Sequence, residues 1–428
     1  MVQNLTLAQI LSEPHTIEDL QVPQSLLIDI VLRLLYNEGN VDFKRIAQVT
    51  RVPNVLHNIL DWLRQEHLVE ISQSSKAAGH LNYVYKLTGA GEERAQSAME
   101  RSQYVGPFPV PVHYYNQAIE LQTAGIRSLD AQQVQQALED LVLPSEFHRH
   151  VGPAVNSGAS LFLYGPSGNG KTTIARKMAE LISGTQPIWL PYALTAGGQI
   201  IQIHDRLFHT HSGPTPDPLK SQSDGRWALF KRPAVVVGGE LKMEALDLRF
   251  DSVAKFYEAP LQLKANGGMF LIDDFGRQQV SPVNLLNRWI VPLENGVDYL
   301  RLRTGQTVVV PFRELIVFST NLDPYKLADE AFYRRIQMKV GVFSPDEPRF
   351  RKIYQRVCTQ FGIAFDQSAY QYLVQKWYLE PGRPFQAVHP RDVLKIIQAI
   401  CEYEKIPFQT RPELIDEACE IYFVKQVS

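Results

Sequence analysis

The chain has 428 residues, of which 45% are hydrophobic and 21% charged, and a formal net charge of −2. These values are typical of a globular protein of about two to four domains, and they exclude a whole-chain electrostatic preference for nucleic acid or membranes. Three cysteines without C-x-x-C spacing argue against a disulfide scaffold or a zinc site. No apolar run reaches the roughly 18–20 residues of a membrane helix, and the first residues lack the pattern of a signal peptide. We therefore expect a cytoplasmic protein without membrane insertion.

The amino-terminal region predicts a short lead-in followed by a small helical domain. Residues 1–22 carry scattered charge and no periodic pattern, whereas residues 23–100 begin with helical spacing of apolar side chains from Gln24 to Tyr36. Asp42 can cap a second, short helix.

A third helix and a hairpin complete this domain. Pro53 opens the helix, and two alternating runs at 68–71 and 81–87 follow, joined by a polar turn that contains Gly79. Three helices and a hairpin in about seventy residues resemble the winged-helix arrangement of the helix-turn-helix class.

A winged helix often reads DNA with its third helix. Here that helix would present Asn54, His57, Asn58, Asp61, Arg64 and Gln65. Residues 23–90 contain seven Lys or Arg against six Asp or Glu, a net charge of +1, which is weak support for phosphate binding. An exposed Trp62 would favour a protein partner, and a buried one would serve the core. DNA and protein partners both stay open at this point.

Residues 101–140 predict a linker and helices. The stretch 101–115 is rich in Pro, Gly and aromatic residues and is typical of an extended strap. Helical segments then lead into the next domain.

The strongest motif of the chain is G-x-x-x-x-G-K-[ST] at residues 165–172. An apolar run that ends at Tyr164 precedes it, and helical spacing follows from Thr173 to Ile182, which is the strand–loop–helix order of a phosphate-binding loop. Lys171 can reach the outer phosphates, and the Thr172 hydroxyl can ligate Mg²⁺. We expect these residues to bind the nucleotide: Gly165, Pro166, Ser167, Gly168, Asn169, Gly170, Lys171, Thr172 and Thr173.

An apolar strand, Met269 to Ile272, ends in two carboxylates, Asp273 and Asp274. This is the Walker B pattern, in which a strand parallel to the P-loop strand delivers an acid to the magnesium sphere. We assign Asp273 to Mg²⁺ through a water, and Asp274 to polarising the attacking water.

Three further features follow along the chain. Asn321 ends another apolar strand and could hydrogen-bond the attacking water or the γ-phosphate. Arg334 and Arg335 form a pair on a short predicted helix, and Arg391 lies at the start of a late helix.

This order of motifs resembles the AAA+ ATPases from about residue 140 to residue 428. The resemblance implies a three-layer α/β core at 141–343, a helical lid at 344–428, and ATP with Mg²⁺ as cofactors. It also implies that Asn321 is sensor 1, that Arg391 is sensor 2, and that Arg334 or Arg335 is an arginine finger inserted into a neighbouring subunit. We favour Arg335, which adjoins the apolar Ile336. Members of this superfamily act as rings, most often hexamers.

Two departures bear on mechanism. The family usually has Asp-Glu at Walker B, whereas Asp274 is one methylene shorter, so slow turnover or a nucleotide-held switch is an open alternative. The long segment ahead of Walker B resembles the helix-two insert of the MoxR, magnesium-chelatase and enhancer-binding branches, where it faces the ring pore. A peripheral insertion is the alternative.

We therefore predict an ATPase that remodels a macromolecular partner, in the manner of a chaperone or assembly factor with an unknown protein client. The alternative is a slow, nucleotide-gated regulator that binds DNA through the winged helix.

Overall fold

The computed structural model describes residues 5–73, 83–125, 129–158, 160–214, 217–220, 223–323 and 334–423. The α-helices in this part of the chain are α1 (Leu7–Ile10), α2 (Gln24–Glu38), α3 (Phe43–Thr50), α4 (Pro53–Gln65), α5 (Gly89–Arg101), α6 (Val112–Thr123), α7 (Ala131–Ala137), α8 (Phe147–Ser157), α9 (Lys171–Ser183), α10 (Leu261–Ala265), α11 (Pro282–Asn295), α12 (Glu347–Gln360), α13 (Gln367–Val374), α14 (His389–Glu404) and α15 (Pro412–Tyr422). The strands are β1 (Val41–Asp42), β2 (Val69–Gln73), β3 (Val84–Leu87), β4 (Val110–Pro111), β5 (Leu161–Tyr164), β6 (Ile188–Pro191), β7 (Ala193–Ala196), β8 (Gln199–Gln202), β9 (Trp227–Phe230), β10 (Ala234–Val237), β11 (Arg249–Phe250), β12 (Tyr257–Glu258), β13 (Met269–Ile272), β14 (Val297–Arg301), β15 (Thr307–Pro311), β16 (Leu315–Thr320) and β17 (Met338–Gly341).

The chain divides into two compact units, and both are discontinuous in sequence. The first unit holds residues 1–127, 182–271 and 278–316, and the second holds residues 128–181, 272–277 and 317–428. The predicted domain boundaries stay a prediction. Within the first unit, β4, from the predicted linker, pairs in parallel with β7, from the segment that follows the P-loop helix.

The amino-terminal part of the first unit contains α2, α3 and α4 and a small antiparallel sheet of order β1–β3–β2. The Asp42 side chain accepts a hydrogen bond from the Arg45 amide, which is the cap that the sequence predicts for α3. Trp62 is partly buried and packs against the apolar core of these helices. The turn that contains Gly79 lies outside the described residues. This order of helices and strands supports the winged-helix interpretation, which stays a proposal.

The rest of the first unit is rich in strands. A mixed sheet has the order β11–β12–β8–β7–β4, and two antiparallel pairs, β6–β9 and β14–β15, accompany it. The buried Arg226 guanidinium links distant segments, since it pairs with Asp224 at 2.8 Å and donates to the carbonyl oxygens of Leu20 and Pro109 at 3.3 Å. A buried cation with these partners ties the extended strap and the lead-in to the sheet region.

Histidines and an ion-paired lysine line a cavity of 960 Å³ within this first unit. The buried His209 ring accepts a hydrogen bond from the Asp205 amide at Nδ1 and faces the Lys264 carbonyl oxygen with Nε2, each at 3.0 Å. These partners hold the imidazole in its neutral form, with the proton on Nε2. Burial lowers the pKa of His209 to about 4, and burial also lowers the pKa of His204, whose ring stacks on it, to about 4.

This arrangement predicts that acid destabilises the first unit. In the unfolded chain a histidine titrates near pH 6.5, so the unfolded state takes up protons before the folded state does. The contribution of the neutral His209 ring to the free energy of unfolding is therefore at its maximum above about pH 6.5. It decreases by about 3 kcal/mol as the pH falls toward 4. We would measure the free energy of unfolding in urea at a series of pH values. It should depend less steeply on pH in His209→Gln than in the wild type, and the exposed control His15→Gln should keep the wild-type dependence. A wild-type pH dependence in His209→Gln would contradict this account.

The strand that precedes the P-loop, β5, belongs to a sheet of order β10–β13–β16–β5–β17. β5 pairs in parallel with β16 on one side and with β17 on the other. Strand β5 leads into the P-loop, and β13 and β16 end beside the predicted Asp273 and Asn321. The carboxyl ends of parallel neighbours meet at one edge of a sheet, so the fold brings these segments together. The predicted α/β P-loop fold class with a helical carboxyl-terminal region is confirmed.

The carboxyl-terminal helices α12 to α15 form their own apolar core, in which Cys358, Cys401 and Cys419 are buried thiols. Across the described ranges, no helix combines the length and the hydropathy needed to cross a membrane.

Candidate nucleotide-binding site

The P-loop has the tight backbone that a phosphate cradle requires. Gly165, Gly168 and Gly170 have φ angles of 137°, 75° and 89°, a region that residues with a Cβ adopt only with strain. A Cβ at Gly165 would also collide with the carbonyl oxygen of Val342. The glycines of the motif are therefore required by geometry in this chain.

Lys171 lies folded back on the loop. Its ammonium donates to the carbonyl oxygens of Gly165 and Pro166, each at 2.9 Å, and the residue is 8% exposed. Burial lowers the pKa of Lys171 below its ordinary value, although Asp274 and Asp273 act in the opposite direction. A phosphate in the cradle would offer this ammonium a charged acceptor in place of two neutral carbonyls.

Thr172 and Asp273 form an oxygen pair suited to Mg²⁺. The Thr172 hydroxyl donates to an Asp273 carboxylate oxygen at 3.1 Å. Hydroxyl, carboxylate and phosphate oxygens are the ligands that Mg²⁺ prefers, usually with several waters retained. The residues present therefore fit the ion that the sequence predicts.

Asp274 lies exposed at a sharp turn directly after β13. Its φ is 50°, a left-handed value that Asp and Asn tolerate better than other residues with a side chain. The turn is held on both sides, since the Phe275 amide donates to the Ser319 carbonyl and the Thr320 hydroxyl donates to the Phe275 carbonyl, each at 2.7 Å. The conformation of the second Walker B acid is thus fixed by β16.

Asn321 lies just beyond β16 and carries a buried amide oxygen that has no hydrogen-bond partner among the described residues. An unpaired buried acceptor costs about 1–3 kcal/mol, and functional sites are where such groups persist. A water or ligand donor at this position would satisfy it.

These side chains line one cavity of 520 Å³ in the second unit. Lys171, Thr172, Asp274, Asn321 and Arg391 all contribute to its walls, together with P-loop residues from Ser167 to Thr173. Five side chains that the sequence singles out from four separate motifs therefore converge on one space.

The same cavity has walls that the sequence analysis missed. Leu141, Val142 and Leu143 precede α8, and Ile353, Arg356, Val357 and Gln360 come from α12. The only signal for the second group was helical spacing, which places Ile353, Val357 and Gln360 on one face without indicating what the face contacts. The first group had no signal.

Arg391 lies at the first turn of α14 and is held by a neighbour. Its guanidinium pairs with Asp392 at 3.0 Å, and the Tyr422 hydroxyl donates to the other oxygen of that carboxylate. The Arg391 side chain is 63% exposed, which leaves it room to reorient toward a phosphate.

Arg334 and Arg335 are not among the described residues that line the cavity. The Arg335 carbonyl accepts a hydrogen bond from the Ser160 hydroxyl at 3.2 Å, and Ile336 is buried, so this segment is anchored beside β5. The beginning of the predicted helix, including Asp329 and Glu330, lies outside the described residues.

Comparison with known proteins finds remote likeness. Residues 346–421 match a family described as a domain of unknown function, DUF8689. No curated protein matches the chain.

Several solved structures are similar over much of the chain. The ADP complex of NtrX from Brucella abortus has a TM-score of 0.39 and 15% identity over 76% of this chain, which spans 65% of the NtrX chain. The ATP complex of the same protein has a TM-score of 0.38 and 15% identity, covering 78% of this chain and 70% of that one. RuvB of Thermotoga maritima, a Holliday junction branch migration motor, has a TM-score of 0.34 and 13% identity, covering 68% and 70%. None of these likenesses assigns a substrate to the present chain.

Proposed function

We propose that this protein binds and hydrolyses ATP with Mg²⁺ and couples hydrolysis to the remodelling of a macromolecular partner, as AAA+ ATPases do. The observation that carries the proposal is the cavity of 520 Å³ at the P-loop. Its lining includes the P-loop lysine, the Asp274 carboxylate with Asp273 close by, an amide oxygen that has no partner among the described residues, and an exposed arginine.

The proposed roles follow from the chemistry of each group. Lys171 and the P-loop amides would bind the β- and γ-phosphates. Thr172 and Asp273 would hold Mg²⁺, Asp273 through a water, and the bound ion would neutralise charge on the phosphate oxygens. Asp274 accepts a proton from the attacking water, and the Asn321 amide oxygen accepts a hydrogen bond from that water. Arg391 stabilises negative charge on the γ-phosphate.

We assign the purine base to the apolar part of the lining, Val142, Ile353 and Val357. These half-buried or buried side chains line the same cavity as Arg356, whose guanidinium donates to the Glu139 carbonyl at 2.7 Å. Apolar walls with a few polar groups are typical of nucleotide base sites. Competition among ATP, GTP and CTP would test the assignment of adenine.

We further propose a ring in which Arg335 acts on the neighbouring subunit's nucleotide. The absence of Arg334 and Arg335 from the described lining of their own cavity, and the anchoring of Arg335 through Ser160, support a role in trans. A finger of this kind raises the rate about 10³–10⁵-fold.

Arg335→Ala should therefore retain ATP binding and lose at least about 100-fold in turnover. Mixing it with Lys171→Ala should partly restore activity, because the second variant supplies an intact finger to the first variant's intact P-loop. Arg334→Ala serves as the matched control and should lose less. If the mixture of Arg335→Ala and Lys171→Ala turns over ATP no faster than either variant alone, the result would contradict a site shared between subunits.

A protein client is better supported than DNA. Three cations on or near α3 and α4 are paired with carboxylates: Arg45 with Glu38 at 2.7 Å, Arg64 with Asp61 at 3.5 Å, and Lys86 with Glu70 at 2.7 Å. Phosphate binding relies on clustered positive charge, which such pairing reduces.

The start of α4 is also covered within the first unit. The Arg51 guanidinium lies 5.0 Å from the centre of the Tyr192 ring, and Gly225 abuts the Arg51 carbonyl so closely that a Cβ would collide. In a winged helix this end of the third helix would meet base edges. To decide between a protein client and DNA, we would measure ATP turnover with and without duplex DNA at increasing salt concentration. Stimulation by DNA that is lost as salt rises would favour the DNA-binding regulator and overturn the protein client.

A further inference from the structure

Asn169 links the P-loop to the lid by its side chain. The residue is 5% exposed, and its amide oxygen accepts a hydrogen bond from the Ala387 amide at 3.2 Å. Its amide nitrogen donates to the Ser344 hydroxyl at 3.3 Å and to the Pro166 carbonyl oxygen, within the P-loop, at 3.5 Å. One buried side chain thus contacts both the segment that follows β17 and the segment that precedes α14.

The neighbouring residue makes a second link. The Val388 amide donates to the Gly168 carbonyl at 2.9 Å. Gly168 has no space for a side chain here, since a Cβ would lie 2.8 Å from both the Gln386 side-chain oxygen and a methyl of Val388. The lid segment 386–388 therefore packs directly on the loop that encircles the phosphates.

This contact lies three residues from Arg391. Val388 is the N-cap of α14, and Pro390 in the first turn restricts the backbone that connects the cap to the arginine. A shift of the P-loop on nucleotide binding would act on Ala387 and Val388 first, and on Arg391 through a short, restricted stretch of chain.

We propose that Asn169 is a positioning residue that sets the orientation of α14, and with it Arg391, according to the conformation of the P-loop. This inference rests on the proposed ATPase function. Asn169 acts through the lid: its amide oxygen accepts from Ala387 and its amide nitrogen donates to Ser344 and Pro166, so neither group is available to replace Lys171 at the phosphates.

The test compares two alanine variants that remove different parts of the link. Asn169→Ala removes all three side-chain hydrogen bonds, whereas the matched control Ser344→Ala removes one partner of the amide nitrogen and leaves the bonds to Pro166 and Ala387. Asn169→Asp retains the oxygen that accepts from Ala387. Should Asn169→Ala fail to fold, Asn169→Ser, which is too short to reach Ala387, takes its place.

The first readout is amide hydrogen exchange in the nucleotide-free protein. We expect exchange at Ala387 to accelerate up to about tenfold in Asn169→Ala, which is the worth of one net hydrogen bond, and to stay near wild type in Ser344→Ala and Asn169→Asp. Val388, which bonds to the P-loop backbone, should keep its protection in all variants. Unchanged exchange at Ala387 in Asn169→Ala would overturn the link.

The second readout separates positioning from binding. In Asn169→Ala we expect kcat to fall about tenfold while the dissociation constant for ATP rises no more than about threefold, and Ser344→Ala to change kcat less. Equal loss in affinity and kcat would overturn the positioning role. Failure of the proposed ATPase function can be told apart from failure of the Asn169 link. A wild-type protein that does not bind ATP would overturn the function, but it would leave the hydrogen-exchange result in the nucleotide-free protein unaffected.

Discussion

Replacing Lys171 with alanine should lower the affinity for ATP by about 100-fold and remove measurable turnover. The buried ammonium is the one described cation that hydrogen-bonds within the P-loop, at 2.9 Å from two of its carbonyl oxygens. A charge-assisted bond to phosphate contributes about 1.5–3 kcal/mol, and 2.7 kcal/mol corresponds to 100-fold in affinity. Titration calorimetry with ATP and Mg²⁺ measures the loss directly.

Arg176→Ala is the matched control for this experiment. Arg176 lies on the same helix, α9, is exposed, and is not among the residues that line the cavity. Removing its charge should change affinity by less than about threefold, as is usual for a surface cation. Equal effects in both variants would mean that net charge, and not the P-loop ammonium, determines binding.

Replacing Asp274 with asparagine should trap bound ATP. Asparagine has nearly the same shape and tolerates the left-handed φ of 50°, so the turn after β13 should persist. The amide cannot accept the proton of the attacking water, and losing a general base costs about 10²–10⁴-fold in rate. We expect kcat to fall by at least about 100-fold with the affinity for ATP retained, measured by single-turnover phosphate release and by titration.

Asp274→Glu provides the complementary control, since it keeps the carboxylate and lengthens the side chain by one methylene. The left-handed backbone costs glutamate about 1 kcal/mol, so the variant should be slightly less stable. Its turnover should stay within about tenfold of wild type. An active Asp274→Asn enzyme would show that Asp274 is not the base.

Sequence reasoning worked best where function demands a fixed local geometry. The P-loop glycines are required by positive φ, and Asp273 and Asn321 end strands of one sheet, so their proximity follows from parallel pairing. The convergence of these segments in the structure agrees with the predicted fold class. Their catalytic roles stay predictions.

Features formed by distant segments without a motif could not be predicted. The cavity at the P-loop is lined by Val142 and by Ile353 and Val357, which are about two hundred residues apart and have only their apolar character in common. The link from Asn169 to Ala387 was equally invisible, because the motif allows any residue at position 169. The buried hydrogen bonds of Arg226 and the discontinuous units likewise depend on tertiary contacts, which the periodic spacing of apolar residues in the sequence does not indicate.

The choice between Arg334 and Arg335 illustrates a further limit of sequence. A finger acts on a neighbouring subunit, so its partner is not in its own chain, and both residues have the same charge and neighbouring positions. The Arg335 carbonyl accepts a hydrogen bond from the Ser160 hydroxyl, and the assignment of the finger to Arg335 stays a prediction.

The most direct test of the central claim is Mg²⁺-dependent phosphate release from ATP by the full-length protein over a range of protein concentrations, with Lys171→Ala as background. The account predicts turnover that is absent in Lys171→Ala and whose specific rate rises with protein concentration as subunits supply each other's arginines. Release no greater than the Lys171→Ala background at any concentration would contradict it.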